Sequence, residues 1–297
     1  MAGFFKAVVA SAPGKVILFG EHAVVYGVTA IAAALSDLRI FVEIVSTIEE
    51  TIEVRMHDIL EGPECRPFSR RIALSRLRDL FRESRAADPL SPIDPNAVIL
   101  DKLREEFKDT TLAAAQGLMA IMYIIANILP ECLWSYTFPD AFHGGMLLNV
   151  NSKGLPIGAG LGSSAAFSVA LAAAALRLRQ QLYPFLLVGG ENNVNLSLNE
   201  THLATDTIPL FLLPIINRWA YAAEVVIHGT PSGLDNTTRY TSKNIVLGSK
   251  ETNMASLSIF FDVFSGVIYK MCYLFGNFSA AMVALCGSEK MKISLRK

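Results

Sequence analysis

From Pro156 to Leu176 the chain reads PIGAGLGSSAAFSVALAAAAL, three alternating glycines and two serines ahead of an alanine-rich run. A strand, a glycine-rich turn and a helix start together make a phosphate-holding arrangement. Unpaired N–H groups of the first helical turn converge there, and the helix dipole favours negative charge. Gly158, Gly160 and Gly162 allow positive φ and close approach to the backbone. Ser163 and Ser164 offer hydroxyls as helix caps, or to a phosphate or a divalent cation. Two better-known loops do not match. A dinucleotide fingerprint needs a third glycine where Ser163 stands, and a Walker A loop needs a lysine that does not follow these glycines. A tightly packed strand–helix joint with no ligand explains the same glycines, so the loop alone leaves both readings open.

Two further stretches carry groups suited to chemistry on a phosphate. SAPGKVILFGEHAVVYG (Ser11 to Gly27) places Lys15, Glu21 and His22 around two sharp turns close to the first strand. HGTPSGLDN (His228 to Asn236) places Asp235 in a Gly/Pro/Ser-rich turn just after a helix that carries Glu224. Taken singly, an Asp in such a turn is ordinarily an Asx-turn residue or a cap, and a Lys beside Pro-Gly ordinarily lies on the surface. Phosphoryl transfer needs a phosphate cradle, a magnesium carboxylate, a cation for developing charge and an acceptor for the alcohol proton. All four residue types are present in turn-rich places.

The elements that must position these groups are legible in the hydrophobic pattern. Val8 onwards reads as a buried strand leading into a Pro-Gly turn. RIFVEIVS (Arg39 to Ser46) and TIEVRM (Thr51 to Met56) alternate and are rich in β-branched residues, which predicts a hairpin. Residues 57 to 95 are polar. Their basic group (Arg70, Arg71, Arg76, Arg78, Arg82, Arg85) is interleaved with Asp79 and Glu83 and reads as a solvated helix face rather than an anion patch. Thr110 to Leu129 predicts a largely buried helix, and Gly144 to Ser152 a strand feeding the glycine loop. Residues 183 to 210 read as loop, and Ile215 to Gly229 as another helix.

Bulk properties exclude several classes. The formal net charge of 297 residues is -1, with no basic excess to favour nucleic acid. Four scattered cysteines (Cys65, Cys132, Cys272, Cys286) form no CxxC pair, which argues against zinc or a disulfide scaffold and suits a reducing, cytoplasmic compartment. The N-terminus lacks the basic start and long apolar run of a signal peptide. The composition is 52% hydrophobic and 18% charged, and Met271 to Gly287 carries no charge. That run falls short of the ~20 apolar residues a bilayer needs, so a membrane span is disfavoured.

The three motif stretches, in this order, resemble the GHMP kinases, densely over 8–46 and 147–176 and again over 215–238. Galactose-directed members carry Arg-x-Asn after the first Pro-Gly and an aspartate soon after Glu-His. Here Lys15-Val-Ile and Ala23-Val-Val stand instead, and the likeness is to the members that phosphorylate mevalonate. The resemblance implies ATP and Mg²⁺ as cofactors, mevalonate as substrate and a homodimer. It implies that Gly158, Ala159, Gly160, Leu161, Gly162, Ser163 and Ser164 wrap the triphosphate, with Ser164 and Glu224 on the metal. Asp235 would accept the alcohol proton with Lys15 beside it, while Glu21, His22 and Ser232 would organise the substrate site.

The implied fold is α+β, a GHMP-kinase N-terminal domain with a mixed β-sheet flanked by helices and a left-handed β-α-β unit, over residues 8–246. The family's Gly-Ala-Gly-Gly-Gly-Gly run does not occur, and residues 247–297 do not resemble the family. The C-terminal GHMP domain is therefore expected to be missing or replaced, and two readings follow: an active kinase, or a family member that binds nucleotide at most.

Overall fold

A computed structural model describes residues 5–19, 31–134, 144–183, 211–229 and 246–248. Among the described residues a run of strands is followed by a run of helices, and then by a strand, two helices and a short strand: β1 (Val8–Phe19), β2 (Ile31–Thr47), β3 (Thr51–Glu61), β4 (Arg66–Ala73), α1 (Leu74–Phe81), α2 (Ala97–Glu106), α3 (Leu112–Ile128), α4 (Pro130–Leu133), β5 (Gly145–Lys153), α5 (Ser163–Leu182), α6 (Leu212–His228) and β6 (Val246–Gly248). The strands form one mixed sheet in the order β4-β3-β5-β2-β1-β6, with β3 and β5 parallel and every other pair antiparallel. The expected mixed sheet flanked by helices is what the chain forms.

The expected hairpin of 39–46 with 51–56 is not formed. β5 lies between β2 and β3, antiparallel to the first and parallel to the second. What lets a later strand enter is Gly145: a Cβ there would stand 2.0 Å from the Glu49 carbonyl oxygen and 2.1 Å from that of Thr51. The turn between β2 and β3 therefore closes over a residue with no side chain. Alternation in β2 and β3 reports a half-buried sheet but not its neighbours, which is why the local pattern suggested pairing.

The expected Pro-Gly turn after the first strand is a bulge instead. β1 runs through Pro13 and Gly14, and its register against β2 shifts between them. Proline cannot donate to a ladder, so a bulge is where a strand tolerates it. Arg39, buried on β2, braces the bulge: its Nε donates to Ser11 Oγ at 3.0 Å and its Nη2 to the Ser11 carbonyl at 2.9 Å. Burial lowers the pKa of this guanidinium to about 10, with Asp37 opposing the shift.

One sheet face carries the core. Ala10 and Ala12, Ile40, Val42 and Ile44, Ile52 and Val54, Met146 and Leu148 are buried at alternate strand positions. Against them lies α5, buried without a break from Ala165 to Leu176. A helix that is apolar all round must be covered on every side, and α5 packs on β1, β2, α3 and α6. Its alanines let these neighbours come close. α3 is buried as expected, opened by Thr111, whose hydroxyl accepts the Ala114 N–H. Trp219 of α6 stacks edge-on to Tyr123 of α3, and its Nε1 donates to the Pro89 carbonyl at 2.8 Å.

The basic group between 70 and 85 is only partly helical, since Arg70 and Arg71 lie on β4. Several of its arginines are ion-paired at the surface, Arg71 with Glu49 and Glu53, Arg70 with Asp109 and Arg76 with Glu106. This agrees with a solvated face rather than an anion patch. Among the described residues no helix is long and apolar enough to cross a membrane. The 183–210 loop expectation, apart from Tyr183, lies outside the described residues, as does residue 249 onwards, which includes the apolar run 271–287.

Candidate active site

Strand β5 ends at Lys153 and helix α5 begins at Ser163, so the strand–loop–helix order expected for the glycine stretch is present. Gly158, Gly160 and Gly162 have φ of 76°, 76° and 66°. A Cβ at Gly158 or Gly160 would meet no atom within 4 Å. These two glycines therefore serve backbone conformation and not tight packing, and Pro156 to Gly160 is exposed. That observation disfavours the ligand-free packed joint. A left-handed loop whose outer side is open, set at the start of a long helix, can receive an anion.

The inner side of the loop is fixed. Leu155 is buried, and its Cδ1 would lie 2.5 Å from a Cβ on Gly14. The Lys15 N–H donates to the Leu161 carbonyl at 2.9 Å. The bulge in β1 is thus the floor on which the loop rests. Lys15 is buried, at 7% exposure, within the strand and not at a turn.

Neither serine caps α5 through its side chain. The N-cap is Gly162 in left-handed conformation, and Ser163 Oγ accepts the Gly158 N–H at 3.3 Å, closing the loop on itself. Ser164 turns instead towards α6. Its hydroxyl lies 3.4 Å from Glu224 Oε2 and 3.1 Å from His228 Nε2. The other Glu224 oxygen, Oε1, accepts from Ser168 Oγ at 3.0 Å. Ser168 is fully buried, Glu224 is 4% exposed and His228 lies at the surface, so the cluster runs from the core to the mouth of the loop.

Ser168 and His228 were not among the residues singled out from sequence. The signal was present in their spacing: Ser164/Ser168 and Glu224/His228 are both i, i+4 pairs, which share a helix face. Only the crossing of α5 with α6 reveals that the two faces meet. Glu21, His22, Ser232 and Asp235 lie outside the described residues.

Among the described residues no group of three or more His, Cys, Asp or Glu side chains could hold a metal. The Ser164–Glu224 pair is a different kind of donor set, two hard oxygens side by side. It fits Mg²⁺, which takes one or two protein oxygens and completes its shell with phosphate and water.

Residues 125–188, spanning the end of α3, β5, the loop and α5, match the family described as GHMP kinases N terminal domain. The chain is 35% identical over 232 residues to the mevalonate kinase of Schizosaccharomyces pombe, covering 78% of this chain and 48% of that one. It is 35% identical over 231 residues to the mouse mevalonate kinase, covering 78% and 51%. A crystal structure of the Methanococcus jannaschii mevalonate kinase is similar at 24% identity and a TM-score of 0.47, over 81% of this chain and 53% of that one. The chain spans about half the length of the curated relatives it matches.

Proposed function

We propose that this chain, which belongs to the GHMP kinase family, transfers the γ-phosphoryl group of ATP to the primary alcohol of mevalonate, giving 5-phosphomevalonate. The observation that carries the reading is the exposed, left-handed glycine loop at the start of α5, with Ser164 and Glu224 side by side at its end. In this reading the loop from Gly158 to Ser164, with Ala159 and Leu161 in it, wraps the triphosphate. Ser164 Oγ and Glu224 Oε2 hold Mg²⁺. When bound, the cation neutralises charge on the phosphate oxygens.

Asp235 accepts the proton of the alcohol, or orients it, as the alcohol oxygen bonds to the γ-phosphorus and the bond to the β,γ-bridging oxygen breaks. Lys15 steadies charge on the transferring group, and Glu21, His22 and Ser232 organise the substrate. The protein does little covalent work in such a transfer, and most of the acceleration comes from positioning. Residues 8–246 form the unit proposed to bind nucleotide, and residues 247–297 are a divergent tail. The family's homodimer and cytoplasmic setting are part of the same proposal.

One observation favours a second reading, a chain that binds nucleotide without turnover: no Gly-Ala-Gly-Gly-Gly-Gly run occurs in the 297 residues. An assay coupling ADP release to mevalonate, with Asp235→Ala as control, separates the two. Mevalonate-dependent release that the substitution abolishes supports the kinase. Release independent of mevalonate, or none, contradicts it.

A further inference from the structure

Helix α5 carries one polar residue between Ala165 and Leu176, and it is Ser168. Its hydroxyl is fully buried in a run of alanine, valine, leucine and phenylalanine. Alanine is the better helix former, and a buried hydroxyl is costly unless it is hydrogen-bonded. The bond it makes is to a carboxylate: Ser168 Oγ donates to Glu224 Oε1 at 3.0 Å, across the α5–α6 interface.

We propose that Ser168 is a positioning residue for the metal-binding carboxylate, holding Glu224 so that Oε2 stays beside Ser164. The two carboxylate oxygens divide the work. Oε1 points into the core and is held by Ser168, while Oε2 lies towards Ser164, 3.4 Å from its hydroxyl. A glutamate has three rotatable side-chain bonds, and a buried hydrogen bond to one oxygen restricts the direction of the other. Partners that orient a metal's ligands typically contribute about 10–100-fold to metal affinity or activity. The inference rests on the proposed kinase reading, in which Ser164 and Glu224 hold the divalent cation.

The test is equilibrium binding on the full chain, with ATP measured with Mn²⁺ and with EDTA, and bound Mn²⁺ counted by electron paramagnetic resonance. Ser168→Ala is expected to weaken Mn²⁺ binding in the presence of ATP by about tenfold while metal-free ATP binding stays within about twofold. Ser168→Thr, which keeps the hydroxyl, is expected to restore most of the loss. Should Ser168→Ala not fold, Ser168→Cys, similar in size but without the oxygen donor, carries the same test. Unchanged Mn²⁺ affinity in the variant, or an equal loss of metal-free ATP binding, overturns the role of Ser168 and leaves the kinase reading standing. Failure of the unmodified chain to bind Mn²⁺ with ATP overturns the kinase reading, and this inference with it.

Discussion

The backbone N–H of Lys15 donates to the carbonyl of Leu161 at 2.9 Å, tying the first strand of the chain to the middle of the glycine loop. The contact requires β1 to bulge at Pro13 and Gly14, and it requires Gly14 to lack a side chain where Leu155 presses down. Two stretches far apart in sequence thus form one object, a loop with a fixed inner side and an open outer side. An anion site benefits from this arrangement, since donors that are already oriented need not be ordered by the ligand.

Substituting Gly158 separates folding from binding. Its φ of 76° strains any other residue, yet a Cβ would touch no protein atom. Gly158→Ala should cost about 1–2 kcal/mol of stability, the usual penalty of a left-handed non-glycine residue. ATP affinity should fall by more than that strain explains, because the methyl group would stand on the open side of the loop, where the proposed function places the phosphates. Denaturant unfolding and ATP calorimetry on the same variant check this, and equal losses in the two would contradict it.

Gly145 makes the opposite case. A methyl group there collides with the backbone of Glu49 and Thr51, which cannot move without breaking the entry of β5 between β2 and β3. Gly145→Ala should destabilise by about 3 kcal/mol or more, at the upper end for overpacking. Gly117→Ala meets only the flexible end of Met56 and gains helix propensity, so it should stay within about 1 kcal/mol of the parent chain. Chemical denaturation midpoints for the pair give the comparison.

This contrast also shows what a sequence can reveal. The glycine loop, α3, β5 and α6 are legible because their signals are local: the spacing of glycines, alternation, and runs of apolar residues. The place of β5 in the sheet is not, because it depends on a backbone approach at Gly145 that no alternation in 39–56 records. Pro13-Gly14 reads as a turn by composition and becomes a bulge because Arg39 and Leu161 hold the strand on either side of it. Ser164 and Glu224 were identifiable as types, whereas Ser168 looked like one more small residue until α6 was laid across it.

Arg179 and Glu131 form a buried ion pair at 2.5 Å, and the same guanidinium donates to the Ile128 carbonyl at the end of α3. Arg179→Met leaves a buried carboxylate without its cation and should cost about 3–5 kcal/mol. Arg179→Met combined with Glu131→Leu should recover most of that loss, since replacing a whole buried pair by apolar groups is often neutral. A double-mutant cycle in urea reads the difference.

Burial pushes the Cys132 thiol up to about 12, and the neighbouring Glu131 adds to the shift. The thiolate is the reactive form, so at pH 8 Cys132 stays the unreactive thiol. Cys65 is exposed. Iodoacetamide at pH 8 should label Cys65 in the folded chain and leave Cys132 unmodified until denaturant is added, as peptide mass spectrometry can follow.

The most direct measurement of the central claim is product identification with radiolabelled ATP. The full chain, Mg²⁺, mevalonate and ATP carrying ³²P at the γ position should yield labelled 5-phosphomevalonate, resolved by chromatography. The yield should drop by at least a hundredfold in Glu224→Gln, in keeping with loss of the carboxylate proposed to hold the metal. Label appearing only as inorganic phosphate, or an undiminished yield from Glu224→Gln, would contradict the account.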